Sequence, residues 1–296
     1  MQIKTLLQTI RAPFLVLTPV CIFLGFSTAY VVHPSIDLAT LSIIFIGAIA
    51  AHISVNTLNE YDDFKSGLDL ITRKTPFSGG SGALPDNPEM AKSVLVLGLV
   101  SLAVTITIGL SLVIEYGMEI MPIGLVGVVL ITAYTKWINR SPFLCLIAPG
   151  LGFGMLMVVG ANVVLTGGHS NQAWMIALVP FFLVNNLLLL NQYPDIEADS
   201  TIGRNTYPIT YGIKNSNIMY TIFMLTAYSL IIYFIFSDAI PNLSVIALIP
   251  ILFSMFSLLG AIKFGARIGL HPQYLAANVA ATLLTPLLLG IAIVCG

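Results

Sequence analysis

Charge is what this sequence lacks most. Only 8% of its 296 residues are Asp, Glu, Lys or Arg, against about 25% in a soluble domain. A chain so poor in charge cannot cover a water-facing surface, which excludes a soluble globular enzyme. Intrinsic disorder is excluded too, because 57% hydrophobic residues and a net charge of −1 reverse its signature. Low overall charge also argues against nucleic acid as a partner. Cysteine is scarce: Cys21, Cys145 and Cys295 form no CxxC pair and read as small core residues, not a metal or disulfide framework. The four histidines (His33, His52, His169, His271) show no ligand spacing. The start, MQIKTLLQTIRAPF, has no small-residue cleavage site ahead of the first apolar run, so insertion without a cleaved signal is expected.

What the sequence has in quantity is long apolar runs, with a mean hydropathy of +0.96. A helical span needs about 20 mostly apolar residues. Nine such runs are expected at 13–32, 38–60, 92–114, 119–136, 143–166, 172–194, 216–237, 243–263 and 274–295. They are too long for barrel strands, which alternate over about ten residues. The fold class expected is all-α, a polytopic membrane protein forming one membrane domain over residues 1–296.

Nine spans place the N-terminus and the connections 2–3, 4–5, 6–7 and 8–9 on one side. That side holds Lys4, Arg11, Lys65, Arg73, Lys74, Lys92, Lys136, Arg140, Arg204, Lys214, Lys263 and Arg267, which are all 12 basic residues. The opposite side carries only Asp37, Glu115, Glu119, Asp238, His33 and His169. The positive-inside rule makes the basic side cytoplasmic.

Most carboxylates lie on that same side: Glu60, Asp62, Asp63, Asp69, Asp86, Glu89, Asp195, Glu197 and Asp199. Two segments at the ends of long apolar helices hold seven of them. The first reads NTLNEYDDFKSGLD over 56–69, and the second NQYPDIEADSTIGR over 191–204. Residues four apart share a helix face, so Asn59 and Asp63 point one way, with Asn56 a turn back. Asn191, Asp195 and Asp199 are likewise expected to form one stripe over two turns. The two N-x3-D patterns lie 132 residues apart (191 − 59 and 195 − 63), which looks like an internal pseudo-repeat.

Oxygen-only clusters suit hard cations. Mg²⁺ is typically held by one or two carboxylates together with substrate phosphates. Two facing clusters would hold two or three Mg²⁺ ions bridging a diphosphate, with basic side chains on the remaining oxygens. An apolar helix wall behind them suits a long hydrocarbon. The ligand so inferred is an isoprenyl diphosphate, head at the cytoplasmic rim and tail between helices. A lone Asn or Asp at such a position reads as a helix cap or a solvated turn residue. Two matched clusters read differently, because repelling carboxylates near a bilayer are costly unless paired or bound to a cation.

At these residues the sequence resembles the UbiA superfamily of intramembrane prenyltransferases. Asn59, Asp63 and Asp69 match its Asn-and-Asp motif on the second helix. Asp195, Asp199, Gly203, Arg204 and Thr206 match its D-x3-D motif followed by G-[KR]-x-T. The resemblance covers essentially the whole chain and implies nine helices around a central cavity, with Mg²⁺-dependent prenyl transfer to an acceptor. Within the superfamily the spacing looks closest to the menaquinone-pathway branch, whose members prenylate 1,4-dihydroxy-2-naphthoate or similar aromatic quinone precursors. The sequence departs from the pattern at Glu60, where Asp is common. Pro194 falls inside the second motif, where it should kink or end the helix.

These expectations assign Asn59, Asp63, Asp195 and Asp199 to the metal ions and to catalysis, with Asn56, Asp69 and Asn191 as supporting ligands that also face the substrate. Lys65, Arg73, Lys74 and Arg204 are diphosphate candidates or, equally, positive-inside anchors. Ser78–Gly82 is a phosphate-cradling nest, a lid hinge or a plain flexible loop. Tyr134 and Lys136, with Arg140, either frame the pocket or anchor span four at the interface. Arg11 either meets an acidic acceptor or snorkels. His52 reads as packing. Two other functions remain open: a UbiA-like terpene cyclase or non-aromatic acceptor, and an ion-coupled transporter. A transporter predicts acidic residues near span midplanes, whereas these lie at the cytoplasmic ends.

Overall fold

Long apolar segments in lipid must satisfy their backbone groups internally, and a helix does this within one segment. The computed structural model describes residues 2–296, and among these it contains helices and no strand. Eight helices are long and apolar enough to cross a membrane: Ala12–Tyr30, Leu38–Lys65, Pro88–Tyr116, Pro142–Thr166, Asn171–Asn191, Tyr207–Phe236, Asn242–Leu270 and Pro272–Cys295. A shorter apolar helix, Met118–Ala133, occupies the place expected for the fourth. In chain order these nine are called spans one to nine. A short helix, Gln2–Thr9, precedes span one.

Span six is the centre of the bundle, with 67% of its apolar window buried, whereas span three has 17% buried. Leu99, Val100 and Leu110 on span three are exposed, as a lipid-facing helix requires. Spans five and six approach so closely that a Cβ on Gly150 or Gly154 would collide with the backbone of Phe181. Small residues permit such approaches, and they carry association where lipid removes the hydrophobic drive. The contact coincides with a stretch of π-helix, Gly150–Met157, that follows Pro149. There the Gly150 N–H donates to Asn185 Oδ1 at 2.6 Å, so a span-six amide satisfies a span-five backbone group. Spans six, seven and nine are tied by a buried polar chain. Tyr220 Oη donates to Asn278 Oδ1 (2.8 Å), Asn278 Nδ2 to the Asn186 carbonyl (3.1 Å), and Asn186 Nδ2 to the Tyr220 carbonyl (2.9 Å).

Three expected boundaries need correction where polar segments begin. Span two does not stop at 60 but runs to Lys65, so Asn56, Asn59 and Asp63 ride on one unbroken helix. Span six ends at Asn191, the chain turns through 192–195, and a new short helix runs Ile196–Thr201. The expected continuous stripe of Asn191, Asp195 and Asp199 is therefore broken, for the reason Pro194 supplies: it has no N–H to continue the ladder. Asp195 and Asp199 remain one turn apart, with Asp199 N–H donating to the Asp195 carbonyl at 2.8 Å. Span seven begins at Tyr207 rather than 216 and bends at Gly212.

Candidate active site

The ends of spans two and six, with the polar connections that follow them, converge at the same end of the bundle. Their carboxylates meet through a cation of the chain's own. Arg204, after the Ile196–Thr201 helix, donates from Nη1 to Asp199 Oδ1 at 2.9 Å and from Nη2 to Asp63 Oδ1. The two acidic segments are thus joined by one guanidinium.

The connection between spans two and three supplies a cover. After a helical turn at Leu68–Ile71, Thr75 and Ser78 form a tight turn: Ser78 N–H donates to Thr75 Oγ1 at 2.9 Å and Thr75 N–H to the Ser78 carbonyl at 3.0 Å. The chain then runs Gly79–Gly80–Ser81–Gly82 against both acidic segments. Gly79 N–H donates to Asp195 Oδ2 at 3.1 Å. Gly80 has φ +71°, and a Cβ there would lie 2.7 Å from Asp69 Oδ1, so only glycine brings the backbone this close to that carboxylate. Ser81 donates to Glu60 from both N and Oγ.

Behind this cover lies a cavity of about 610 Å³, within the range of small-molecule sites. At its polar mouth are Arg11, Asn56, Asn59, Asp63, Asp69 and Tyr134, and across from them Asn191, Asp195, Asp199 and Arg204. Its depth is apolar, with Ile44, Leu112, Ile123 and Val164 in the wall. Asn56 Nδ2 is engaged by the Ile10 carbonyl at 2.9 Å, and Asn59 Nδ2 by Thr135 Oγ1 at 3.2 Å. In both amides the side-chain carbonyl is the group left to face a ligand.

Four basic candidates lie off the cavity: Lys65, Arg73 and Lys74, expected at the diphosphate or as anchors, and Lys136, expected to frame the pocket or anchor span four. Lys65, Arg73 and Lys74 are exposed. The Lys65 ammonium sits over the Tyr61 ring, 5.8 Å from its centroid, and Lys74 Nζ reaches the Gly82 carbonyl at 3.4 Å. Lys136 is exposed and pairs loosely with Asp62 at 3.8 Å, a pairing worth little in water. Lys65, Arg73 and Lys136 follow the helix ends outward, where a long ammonium or guanidinium stem reaches water, and Lys74 turns onto the cover instead. The sequence reading also passed over Gln192, which lines the cavity, and gave no role to Glu60 beyond a departure from pattern. His52 lines the cavity too, bonded to Thr18 Oγ1 at 2.8 Å.

Oxygen atoms at the mouth lack partners. Asp69 Oδ2, Asn191 Oδ1, Asp195 Oδ1 and Gln192 Oε1 are buried without a hydrogen bond, a costly state for polar oxygen. Among the described residues no three His, Cys, Asp or Glu side chains form a closed metal cluster. Oxygens spread over two facing segments, with coordination left to be completed by a ligand, fit Mg²⁺ held jointly with phosphate. Burial, reinforced by Glu60 and Asp63, pushes the Asp69 carboxyl up to about 7. Burial, then the charge of Asp199, pushes Asp195 up to about 7. Asp199 is raised by burial against the pull of Arg204. For Arg204 itself burial acts to lower the pKa, but Asp63 and Asp199 outweigh it and hold the guanidinium above its ordinary value. A cation added here would relieve both the orphaned oxygens and the repulsion.

The family model for the UbiA prenyltransferase family matches residues 17–264. The chain belongs to the UbiA prenyltransferase family. As a UbiA protein it is a prenyltransferase and a multi-pass integral membrane protein. It is 29% identical over 187 residues to the 1,4-dihydroxy-2-naphthoate octaprenyltransferase of Bacillus subtilis (strain 168), a match spanning 62% of this chain and 58% of that one. It is 26% identical over 224 residues to the digeranylgeranylglyceryl phosphate synthase of Pyrococcus abyssi, covering 75% of this chain and 74% of that one. A UbiA homologue from Archaeoglobus fulgidus, solved with DMAPP and Mg²⁺, superposes with a TM-score of 0.72 at 15% identity, over 98% of this chain and 99% of that one. The same homologue with GPP and Mg²⁺ gives 0.71 at 13% identity, over 99% and 100%. At such identity these two show the shared fold.

Proposed function

We propose that the chain, acting as one membrane domain over residues 1–296, transfers an isoprenyl group from a prenyl diphosphate to a small aromatic quinone precursor at the cytoplasmic face. The observation that carries this reading is the pairing of two oxygen-rich segments, with orphaned buried oxygens, at the mouth of an apolar cavity. Asn59, Asp63, Asp69, Asn191, Asp195 and Asp199 would hold two or three Mg²⁺ ions. Bound there, the metal neutralises charge that develops on the departing diphosphate. Arg11 and Arg204, both on the cavity, place guanidinium charge beside the same oxygens. Burial pushes the Tyr134 phenol above its ordinary pKa, so this side chain serves as a neutral donor and not as a base. The apolar wall holds the tail and keeps water from the allylic centre, whose capture by water would waste the donor.

An aromatic acceptor is supported by the Bacillus relative. The Pyrococcus relative supports a second acceptor, a prenylated glycerol phosphate. Membranes containing the protein should be incubated with labelled prenyl diphosphates and a panel that includes 1,4-dihydroxy-2-naphthoate and geranylgeranylglyceryl phosphate, with products identified by mass spectrometry. A prenylated naphthoate product is expected. Product from the glycerol phosphate alone moves the acceptor to the second reading, and diphosphate release with a cyclised hydrocarbon excludes both.

A further inference from the structure

Glu60 is the one carboxylate of the first acidic segment whose oxygens are all taken by the chain itself. Its side chain is fully buried. Oε1 accepts from Arg11 Nε at 2.8 Å and from Ser81 N–H at 2.8 Å, and lies 2.7 Å from Arg11 Nη2. Oε2 accepts from Ser81 Oγ at 2.6 Å. Two distant stretches therefore converge on one group: the residue before span one, and the Gly-rich cover between spans two and three. Arg11 needs holding, since it is a non-glycine residue at φ +53°, a conformation that L residues adopt at a cost.

The cover has space on both sides. Beyond it lies a second cavity of about 350 Å³, lined by Lys4, Gln8, Thr75 and Ser81. Arg11, Phe77, Ser78 and Gly80 line both this cavity and the main one, so the cover is a partition with room to fall outward. Its other bond to the acidic segments, Gly79 N–H to Asp195 Oδ2, uses an oxygen that the proposed function gives to a cation. The bond to Glu60 is free of that competition.

We propose that Glu60 is a positioning residue for prenyl transfer: it fixes Ser81 and Arg11 as one unit, keeping residues 77–81 as the partition between reaction cavity and outer vestibule when Asp195 is engaged by ligand. This rests on the site reading above. It also gives the longer side chain a reason. Glu carries one more methylene than the Asp expected there, and that reach lets it meet both the Arg11 guanidinium and the Ser81 backbone. Glu60 touches no reacting atom, so its effect is on how well the donor is held and not on the chemical step.

The test combines amide exchange of the 77–82 segment with kinetics on the full-length protein in detergent or nanodiscs, using geranylgeranyl diphosphate. Glu60→Asp keeps the charge and the Arg11 pair but withdraws from Ser81. It should speed exchange of the segment by about tenfold, the effect of one hydrogen bond to a charged group. The KM for the diphosphate should rise by about tenfold while kcat stays within about threefold. Glu60→Gln, which faces Arg11 with an amide, should exceed Glu60→Asp in both. Ser81→Ala removes only the Oγ bond and should move exchange and KM in the same direction by a smaller factor. It decides the matter if Glu60→Gln fails to fold. Unchanged exchange in folded Glu60→Asp and Ser81→Ala overturns the proposal, as does a collapse of kcat with KM unmoved. Faster exchange in a protein that transfers no prenyl group to any acceptor leaves the tether standing and counts against the transfer reading alone.

Discussion

The mouth and the depth of the cavity are made by different rules. At the mouth the acidic and amide side chains are held by named partners, Asp63 and Asp199 by Arg204, Asp195 by Gly79 and Asn59 by Thr135, while Asp69 Oδ2, Asn191 Oδ1 and Asp195 Oδ1 are left without one. In the depth there are side chains of differing volume and no hydrogen bonds to offer a hydrocarbon. Gly109 and Gly124 line that wall, and a Cβ on either would meet nothing within 4 Å. A site of the first kind should fail sharply when altered, and one of the second kind should change by degrees.

The sharpest failure is expected at the carboxylates. Asp63→Ala and Asp195→Ala should each lower turnover by at least about 100-fold, because metal clamping contributes several kcal/mol to leaving-group stabilisation. Asp37, at the other end of the bundle, caps span two by accepting from Ala39 N and Thr40 N. Asp37→Ala should lower stability slightly by removing the cap and leave the turnover of folded protein unchanged. Assays on folded variants, with melting followed in parallel, check both. Equal loss at all three positions would erase the distinction between mouth and remainder.

A smaller effect follows from protonation. Asp69 and Asp195 ionise only near pH 7, so at pH 8 they are mostly carboxylates and at pH 6 mostly neutral. Protons then compete with the cation. The Mg²⁺ concentration that half-saturates activity should rise by about tenfold or more from pH 8 to pH 6. Titrations at fixed donor concentration measure this, and a pH-independent requirement would show that neither group binds the cation.

The depth should respond by degrees. Gly124→Leu fills open wall, and at about 0.8 kcal/mol per buried CH₂ it should shift competition between farnesyl and geranylgeranyl diphosphate toward the shorter donor by roughly three- to tenfold. Mixed-donor assays read the ratio. Abrupt loss of every donor would mean the wall is as exacting as the mouth. Least of all should change with Lys65→Ala, Arg73→Ala or Lys136→Ala, whose side chains face outward. Their diphosphate KM should stay within about twofold, as for exposed ion pairs.

The spans were legible because some 20 apolar residues in a row admit few other readings, and span four was found although its helix, Met118–Ala133, is short. The two acidic segments stood out in the sequence because clustered acids near a bilayer are costly unless paired or bound to a cation, and the structure brings the two together through Arg204. The break at Pro194 was half legible: proline announces an interruption but not whether the helix kinks or stops. Lys65, Arg73 and Lys74 carried two readings because the positive-inside rule and diphosphate binding place basic residues at the same helix ends, and the structure sets all three off the cavity. The bonds from Glu60 to Ser81 and Arg11 were not legible at all. They join residues 21 and 49 positions apart, and no local pattern reports such a closure.

The central claim is that both acidic segments together hold divalent metal with a prenyl diphosphate. Electron paramagnetic resonance of Mn²⁺, titrated into the purified protein with and without geranyl diphosphate, tests it most directly. Tight Mn²⁺ binding is expected only when the diphosphate is present, and it should be lost in Asp63→Ala and in Asp195→Ala alike. Equal Mn²⁺ and diphosphate binding by the wild type and both variants would contradict the claim.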